Sequence, residues 1–260
     1  MQSLNNIVDL DTYPIEDPGF GEECLKNLNT DGVLTLPGFL RQDAIEQLVE
    51  EAEKQKNNAY FTTSTHNVYL TPTRSDIEPD HIFNRQLCSS KGCITTDQVP
   101  QKSHLNTVYN ADIFRQFIAT VVGEKTLYEY ADPLSSINVH FASEGQELNW
   151  HFDNSEFAIT LLLQSPKAGG EFEYVKNLRD ADQNDMNYAG VEAVLDEKTK
   201  PSHLTVEPGT LVLFRGRNSM HRVTPTVGDR TRILVVFAYN SEPGIALSES
   251  ARMTFFGRLG

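Results

Sequence analysis

From Leu134 to the C-terminus, short apolar runs recur between clusters of glycine, proline, aspartate and asparagine: "SSINVHFA", "FAITLLLQ", "GGEFEYV", "SHLTVEP", "GTLVLFRG", "HRVTP" and "TRILVVFAY". Strands this short and this closely spaced, with few helical patterns among them, read as a barrel or a double-sheet jelly roll. The chain before them has a different character. In "RQDAIEQLVEEAEKQ", Ala44, Ile45, Leu48, Val49 and Ala52 fall at helical spacing, and Asp43 is placed to cap the start. A second helix is expected in "NADIFRQFIATVVG", closed by Gly123. Between them, from about Tyr60 to Leu105, turn formers such as those in "YLTPTRSDIEPD" predict a long irregular loop, a kind of segment that often carries function. The expectation is one domain over residues 1–260, mainly β with flanking helices. Residues 1–127 would form a helical and loop part buttressing a jelly-roll core of residues 128–260.

Composition narrows the partners. Against 22 basic residues stand 36 acidic ones, a formal charge of −14, which argues against a nucleic-acid partner because phosphate backbones call for a basic patch. No apolar run approaches the roughly 20 residues of a membrane helix, and "MQSLNNIVDLDTYP" has neither the basic start nor the apolar core of a secretory signal. The expected protein is soluble and cytoplasmic, without a membrane partner. Cys24, Cys88 and Cys93 are odd in number and match no zinc-ribbon spacing, so they read as free thiols.

The chemistry begins at "NWHFDN", residues 149–154. In a strand, positions i and i+2 share a face, so His151 and Asp153 would project together while Phe152 packs behind them. Two readings stand at this point: a two-toothed metal clamp, or a surface turn in which Asp153 caps and His151 is incidental. A third ligand favours the clamp. His221 opens "HRVTP" between two apolar strands and should sit at a strand end facing the interior. Two histidines and one carboxylate on one face of a metal leave positions open, as in non-haem Fe(II) oxygenases; a zinc site with the same ligands is the alternative. Further on, "GDRTRILVVFAY" offers Arg230 and Arg232 on one strand face by alternation. A guanidinium inside an apolar barrel is costly unless it meets an anion, and a dicarboxylate's distal carboxylate is a good bidentate partner. At least one of the two is expected to point outward at the strand start.

Taken as a set, "HFD", the distal "HRVTP" and the arginines after it resemble the iron- and 2-oxoglutarate-dependent oxygenases, whose fold is a double-stranded β-helix, or jelly roll. Through "YADPLSSINVHF", "WHFDNSEFAITLLLQSPKAGGEFEYV", "PGTLVLFRGRNSMHRVTP" and "FFGRLG", residues from about 128 to 260 are similar to the branch holding the BesD/HalD-type free-amino-acid halogenases and their hydroxylating relatives. The N-terminal half fits more loosely. The resemblance implies Fe(II) held by His151, Asp153 and His221. It implies 2-oxoglutarate chelating the metal with its far carboxylate on Arg230 or Arg232, O₂ as the oxidant, and succinate and CO₂ as co-products. Halogenating members have glycine where this chain has Asp153, which leaves a coordination position for chloride; here the carboxylate implies hydroxylation.

A free amino acid as substrate would need a cation for its carboxylate. Arg74 in the irregular loop is the candidate, the alternative being a solvated arginine paired with Asp76 or Glu78. Asn154 and Trp150 flank the clamp and are candidates for lining the pocket, Trp150 equally for the core. His140, on "INVHF", is expected to be a structural residue, and Asp132 to orient a neighbour or touch substrate. The absence of a recognisable peptide-binding module favours a small molecule. Two other classes fit the same triad: a non-catalytic cupin-like binding module, and a Zn²⁺ or Mn²⁺ hydrolase or isomerase acting without O₂.

Overall fold

The computed structural model describes residues 3–260. The helices are α1 (Pro18–Asp31), α2 (Gln42–Gln55), α3 (His104–Tyr109), α4 (Asp112–Val122), α5 (Tyr188–Leu195) and α6 (Glu249–Phe256). The early strands are β1 (Val33–Leu36), β2 (Tyr60–His66), β3 (Leu87–Ile94) and β4 (Ile137–Ala142). They are followed by β5 (Leu148–His151), β6 (Ala158–Gln164), β7 (Ala168–Gly169), β8 (Phe172–Val175) and β9 (Ser202–Leu204). The last four are β10 (Leu211–Phe214), β11 (Met220–Val223), β12 (Thr226–Val227) and β13 (Arg232–Phe237). A seven-stranded sheet in the order β1-β10-β6-β13-β4-β3-β2 faces a smaller one in the order β5-β11-β8-β9, with β12 and β7 as a separate pair. Every pairing is antiparallel, and the double-stranded β-helix expected from the strand pattern is the fold observed.

Alternation along each strand of the large sheet divides two environments. Ile137, Val139 and Phe141 of β4, Ile159, Leu161 and Leu163 of β6, and Ile233, Val235 and Phe237 of β13 face α1–α4 and form the main apolar core. The intervening Asn138, His140, Arg232 and Leu234 therefore face the smaller sheet. On the helical side α4 contributes Phe114, Phe117, Ile118 and Val121 to the same core, each side chain of that size adding about 1.5–3 kcal/mol of burial. Gly123 ends α4 at φ 84°, as its position in the sequence predicts. A second cluster, with Trp150, Phe152, Tyr69, Val191 and Met220, lies where the small sheet meets α5.

Several local expectations change. The N-cap of α2 is Arg41, and Asp43 lies inside the first turn, where its charge favours the positive end of the helix without capping it. The sequence reading passed over α1, although Asp17 accepts a hydrogen bond from Gly19 N at 2.9 Å, Pro18 starts the helix and Gly32 closes it at φ 74°. Its apolar stripe is thin, with only Gly21, Cys24 and Leu28 buried. The segment from Tyr60 to Leu105 is not one irregular loop: β2 and β3 pair over seven residues, His66 opposite Leu87, and only the chain between them loops out. The polar run "YFTTSTH" concealed β2 because it lies at the sheet edge, where Thr and Ser alternate without a buried face. The N-terminal part thus supplies three strands of the large sheet in addition to its helices. At the other end, Arg258 donates to Asp97 at 2.7 and 2.9 Å and fixes the tail that follows α6. Among the described residues no helix is long and apolar enough to cross a membrane.

Candidate active site

His151 is the last residue of β5 and pairs across with His221 of β11, so adjacent antiparallel strands carry the two rings to one spot, 4.2 Å apart by centroid. Asp153 follows two residues after His151 and keeps its face. Its Oδ1 lies 3.7 Å from His151 Nε2 and 3.6 Å from His221 Nε2. One ligand atom from each residue lies within 4.8 Å of the other two. The other ring nitrogens are occupied: His151 Nδ1 is 2.7 Å from Asn149 O, and His221 Nδ1 is 3.0 Å from Ser219 O. A carbonyl can only accept, so each Nδ1 carries the proton and each Nε2 turns a lone pair toward Asp153, the arrangement metal-binding histidines require. Burial and the neighbouring His221 hold the His151 pKa well below the usual histidine range, which keeps the ring neutral and able to ligate. Asp153 Oδ2, on the far side of the carboxylate, is buried without a hydrogen-bond partner. Three convergent lone-pair donors with no proton among them fit a divalent cation.

The carboxylate owes its position to Gly216. Asp153 N donates to Gly216 O at 3.1 Å, and a Cβ at residue 216 would lie 1.8 Å from Asp153 Oδ2. Phe214 and Phe172 pack on the His221 ring at 4.9 and 5.5 Å, so the imidazole stands in an apolar surround. On the open side, His66 presents its ring edge-on to His151 at 6.2 Å and bonds Ser89 Oγ at 2.7 Å.

The two arginines part company. Residues 228–230 form a turn opened by Gly228 at φ 91°, so the strand starts at Arg232 and strand alternation does not extend back to Arg230, which is exposed. Arg232 turns inward, where burial lowers its pKa to about 10. Gly170 leaves room for it: a Cβ there would approach Arg232 Cδ to 2.9 Å. Two further basic groups face the same interior, Lys91, which escaped the sequence reading, and His140. Lys91 of β3 sits 3.2 Å from His140 Nε2, and both have pKa values lowered by burial, His140 also by the charges of Lys91 and Arg232. His140 therefore faces the barrel interior, where Lys91 is its side-chain partner. The signal available was parity, since Ser89, Lys91 and Cys93 share a face of β3, as Asn138 and His140 do on β4.

The remaining candidates have partners of their own. Arg74 is half-exposed, donates to both oxygens of Asp76 at 3.0 and 2.5 Å, and stacks over Phe83 at 5.8 Å. Trp150, one residue before His151, points to the opposite face by alternation and joins the apolar cluster beside α5, with Arg222 over its ring at 4.8 Å. Asn154 is exposed and its backbone oxygen accepts from Arg217 at 3.5 Å. Asp132 is a structural anchor, accepting from Leu134 N, Ser135 Oγ and Leu247 N. In a second grouping, Glu171 and His203 are exposed, and the buried Glu173 is already paired with Arg222.

Comparison with known proteins agrees with this geometry. The family profile described as halogenase D (HalD) matches residues 21–253. Among curated proteins none matches. Of solved structures, the non-heme alpha ketoglutarate dependent epimerase SnoN from nogalamycin biosynthesis is 12% identical over 86% of this chain and 84% of its own, with a TM-score of 0.58. The carbocyclase SnoK from the same biosynthesis is 14% identical over 88% and 89%, with a TM-score of 0.57. A 2OG-Fe(II) oxygenase family protein from Burkholderia pseudomallei is 13% identical over 86% and 92%, with a TM-score of 0.51. At these identities the likeness is one of fold.

Proposed function

The chain belongs to the halogenase D family of Fe(II)- and 2-oxoglutarate-dependent oxygenases, and from that premise we propose that it hydroxylates an unactivated C–H bond of a small molecule, a free amino acid or a derivative of one. In this reading His151 and His221 through Nε2, and Asp153 through Oδ1, hold the iron. Arg232 grips the distal carboxylate of 2-oxoglutarate, the enclosed guanidinium being matched to a bidentate anion. When bound, iron and 2-oxoglutarate supply the oxidising power drawn from O₂, releasing succinate and CO₂.

What the chain contributes is placement. The Nδ1–H bonds to Asn149 O and Ser219 O hold both rings in one tautomer and one rotation. Phe172 and Phe214 exclude water from one side of His221. Arg232 sets the direction in which the cosubstrate enters. Arg74, with its charge met by Asp76, does not enter this reading, and Trp150 serves the core.

The observation that carries hydroxylation over halogenation is the Asp153 carboxylate standing between the two Nε2 atoms, where a halide would otherwise need an open position. The test is a screen of free amino acids with Fe(II), 2-oxoglutarate and O₂ in the presence of chloride, followed by succinate and by product mass. Succinate coupled to a gain of one oxygen is expected; a chlorinated product, or turnover without O₂, would overturn the reading.

A further inference from the structure

The barrel interior holds a cavity of about 170 Å³ that the triad does not account for. Lys91 and His140 stand on one side, Val236 and Asn138 on the floor, and Phe255 and Phe256 of α6 form the outer wall. A cavity of this order admits a molecule the size of benzene, and so a compact amino acid. None of His151, Asp153 and His221 lines this cavity, but Lys91 places it beside the candidate active site: β3 lies against β5, Ser89 Oγ accepting from Asn149 N at 2.9 Å, and the charges of Lys91 and Asp153 act on one another.

Charge supplies the second argument, which rests on the oxygenase reading above. With iron, 2-oxoglutarate, Asp153 and Arg232 in place, two positive and two negative contributions cancel among cosubstrate and metal, and Asp153 offsets Arg232. Lys91 remains. It is enclosed, its side-chain neighbour is the neutral imidazole of His140, and among the described residues no carboxylate pairs with it. Burial without an anion disfavours the ammonium, and a ligand carboxylate entering this cavity would supply the anion that the chain does not. Asn138 offers a complementary feature: its Nδ2 donates to Leu134 O at 2.8 Å and to Ile137 O at 3.0 Å, which leaves Oδ1 as an acceptor for an ammonium group.

We propose that this cavity is the prime-substrate site and that it takes an α-amino acid with a compact apolar side chain. The carboxylate lies on Lys91, the ammonium on Asn138 Oδ1, and the side chain against Val236, Phe255 and Phe256. The cation that selects the substrate thus belongs to the barrel wall and not to the loop bearing Arg74.

The experiment is calorimetric titration of the full chain, loaded with Fe(II) and 2-oxoglutarate under argon, with L-valine, L-leucine, L-isoleucine and L-methionine, together with leucinamide and 4-methylpentanoate. At least one of the four acids is expected to bind. Leucinamide and 4-methylpentanoate should each bind at least about tenfold more weakly than leucine, the scale of a charge-assisted hydrogen bond. Lys91→Met should abolish the difference between leucine and leucinamide while 2-oxoglutarate binding stays within about twofold. Should Lys91→Met fail to fold, Ala238→Phe, which fills the cavity from β13's far end, should eliminate amino-acid binding and spare that of 2-oxoglutarate. No binding by any of the four acids, equal binding of leucine and leucinamide to the unaltered protein, or a loss of 2-oxoglutarate affinity in Lys91→Met would overturn the proposal, the last by placing Lys91 in the cosubstrate site. Failure of 2-oxoglutarate to bind the Fe(II)-loaded protein at all would instead strike the oxygenase reading on which the proposal rests.

Discussion

Gly216→Ala isolates the support of Asp153 from the ligand itself. The added methyl carbon would stand 1.8 Å from Oδ2, 2.6 Å from Cγ and 3.0 Å from Cβ of Asp153, while real Cβ atoms almost never come closer than 3.0 Å to a neighbour. The shortfall exceeds an ångström. Residue 216 is not at a positive φ, so alanine is compatible with its backbone, and the part free to yield is the carboxylate. Displacements of about 1 Å at a reacting centre cost on the order of a hundredfold, and lost support of a metal ligand about 10–100-fold in metal affinity. Anaerobic titration with Fe(II) should therefore show a loss of at least about tenfold, about 1.4 kcal/mol, with the far-ultraviolet circular dichroism spectrum unchanged. Asp153→Gly removes the atoms that clash, so adding Gly216→Ala to that background should leave Tm unaltered, whereas adding it to the unaltered protein should lower Tm. Unchanged Fe(II) affinity in Gly216→Ala, or an equal fall in Tm in both backgrounds, would refute the steric link between residues 153 and 216.

Four further outcomes follow from the same geometry. Arg232→Ala should raise the 2-oxoglutarate KM by a factor corresponding to about 2–5 kcal/mol, and Arg230→Ala should leave it unchanged, as steady-state succinate formation will show. Asp153→Glu should lose most hydroxylation, since one added methylene moves the carboxylate by about an ångström; full activity by product mass would remove Asp153 from the ligand set. A thiol reagent at pH 8 should modify Cys88 alone, because burial pushes the thiols of Cys24 and Cys93 up to about 11, and denaturant should release the other two. The pKa of His140 is depressed in the folded state, so as pH falls the unfolded chain takes up the proton first. The metal-free protein should accordingly lose Tm as pH drops below about 6.5, and His140→Gln should lose less over the same range.

The clamp was legible because it depends on local geometry. Period-2 spacing points to His151 and Asp153 on one face, which the chain keeps just past the end of β5 where Asp153 N donates to Gly216 O, and an apolar strand on either side of residue 221 sends its histidine inward. The same rule, applied one residue earlier, removes Trp150 from the pocket, as the position of Phe152 already implied. Arg230 illustrates where alternation stops: it holds only inside a strand, and the turn at Gly228 moves the strand's start to Arg232. For Lys91, parity with Ser89 and Cys93 was legible, but not which face of the strand is the interior one. In "SSKGCI" it looks like a solvated edge residue, and only the non-local pairing of β3 with β4, which sets Cys93 opposite His140, turns it into the barrel.

The arrangement of the interior explains how one sheet serves two ends. In β4 and β13, odd-numbered positions such as Val139, Val235 and Phe237 are committed to the helical core, so any polar residue placed there would have to be buried without a partner. Even-numbered positions carry no such constraint, and there the strands hold Asn138, His140 and Arg232. Chemistry can therefore change on one face while stability is maintained on the other. Asp153 lies outside both strands, in the turn after β5, where its side chain depends on one glycine rather than on a packed layer. A carboxylate held in this way can be lost without disturbing the fold. On the reading proposed above, the ligand that separates hydroxylation from halogenation is a residue whose replacement the barrel tolerates, and Asp153→Gly should fold with a Tm close to that of the unaltered metal-free protein. A large fall in Tm on that substitution would show that the carboxylate is part of the structural core and that the two roles are not separable.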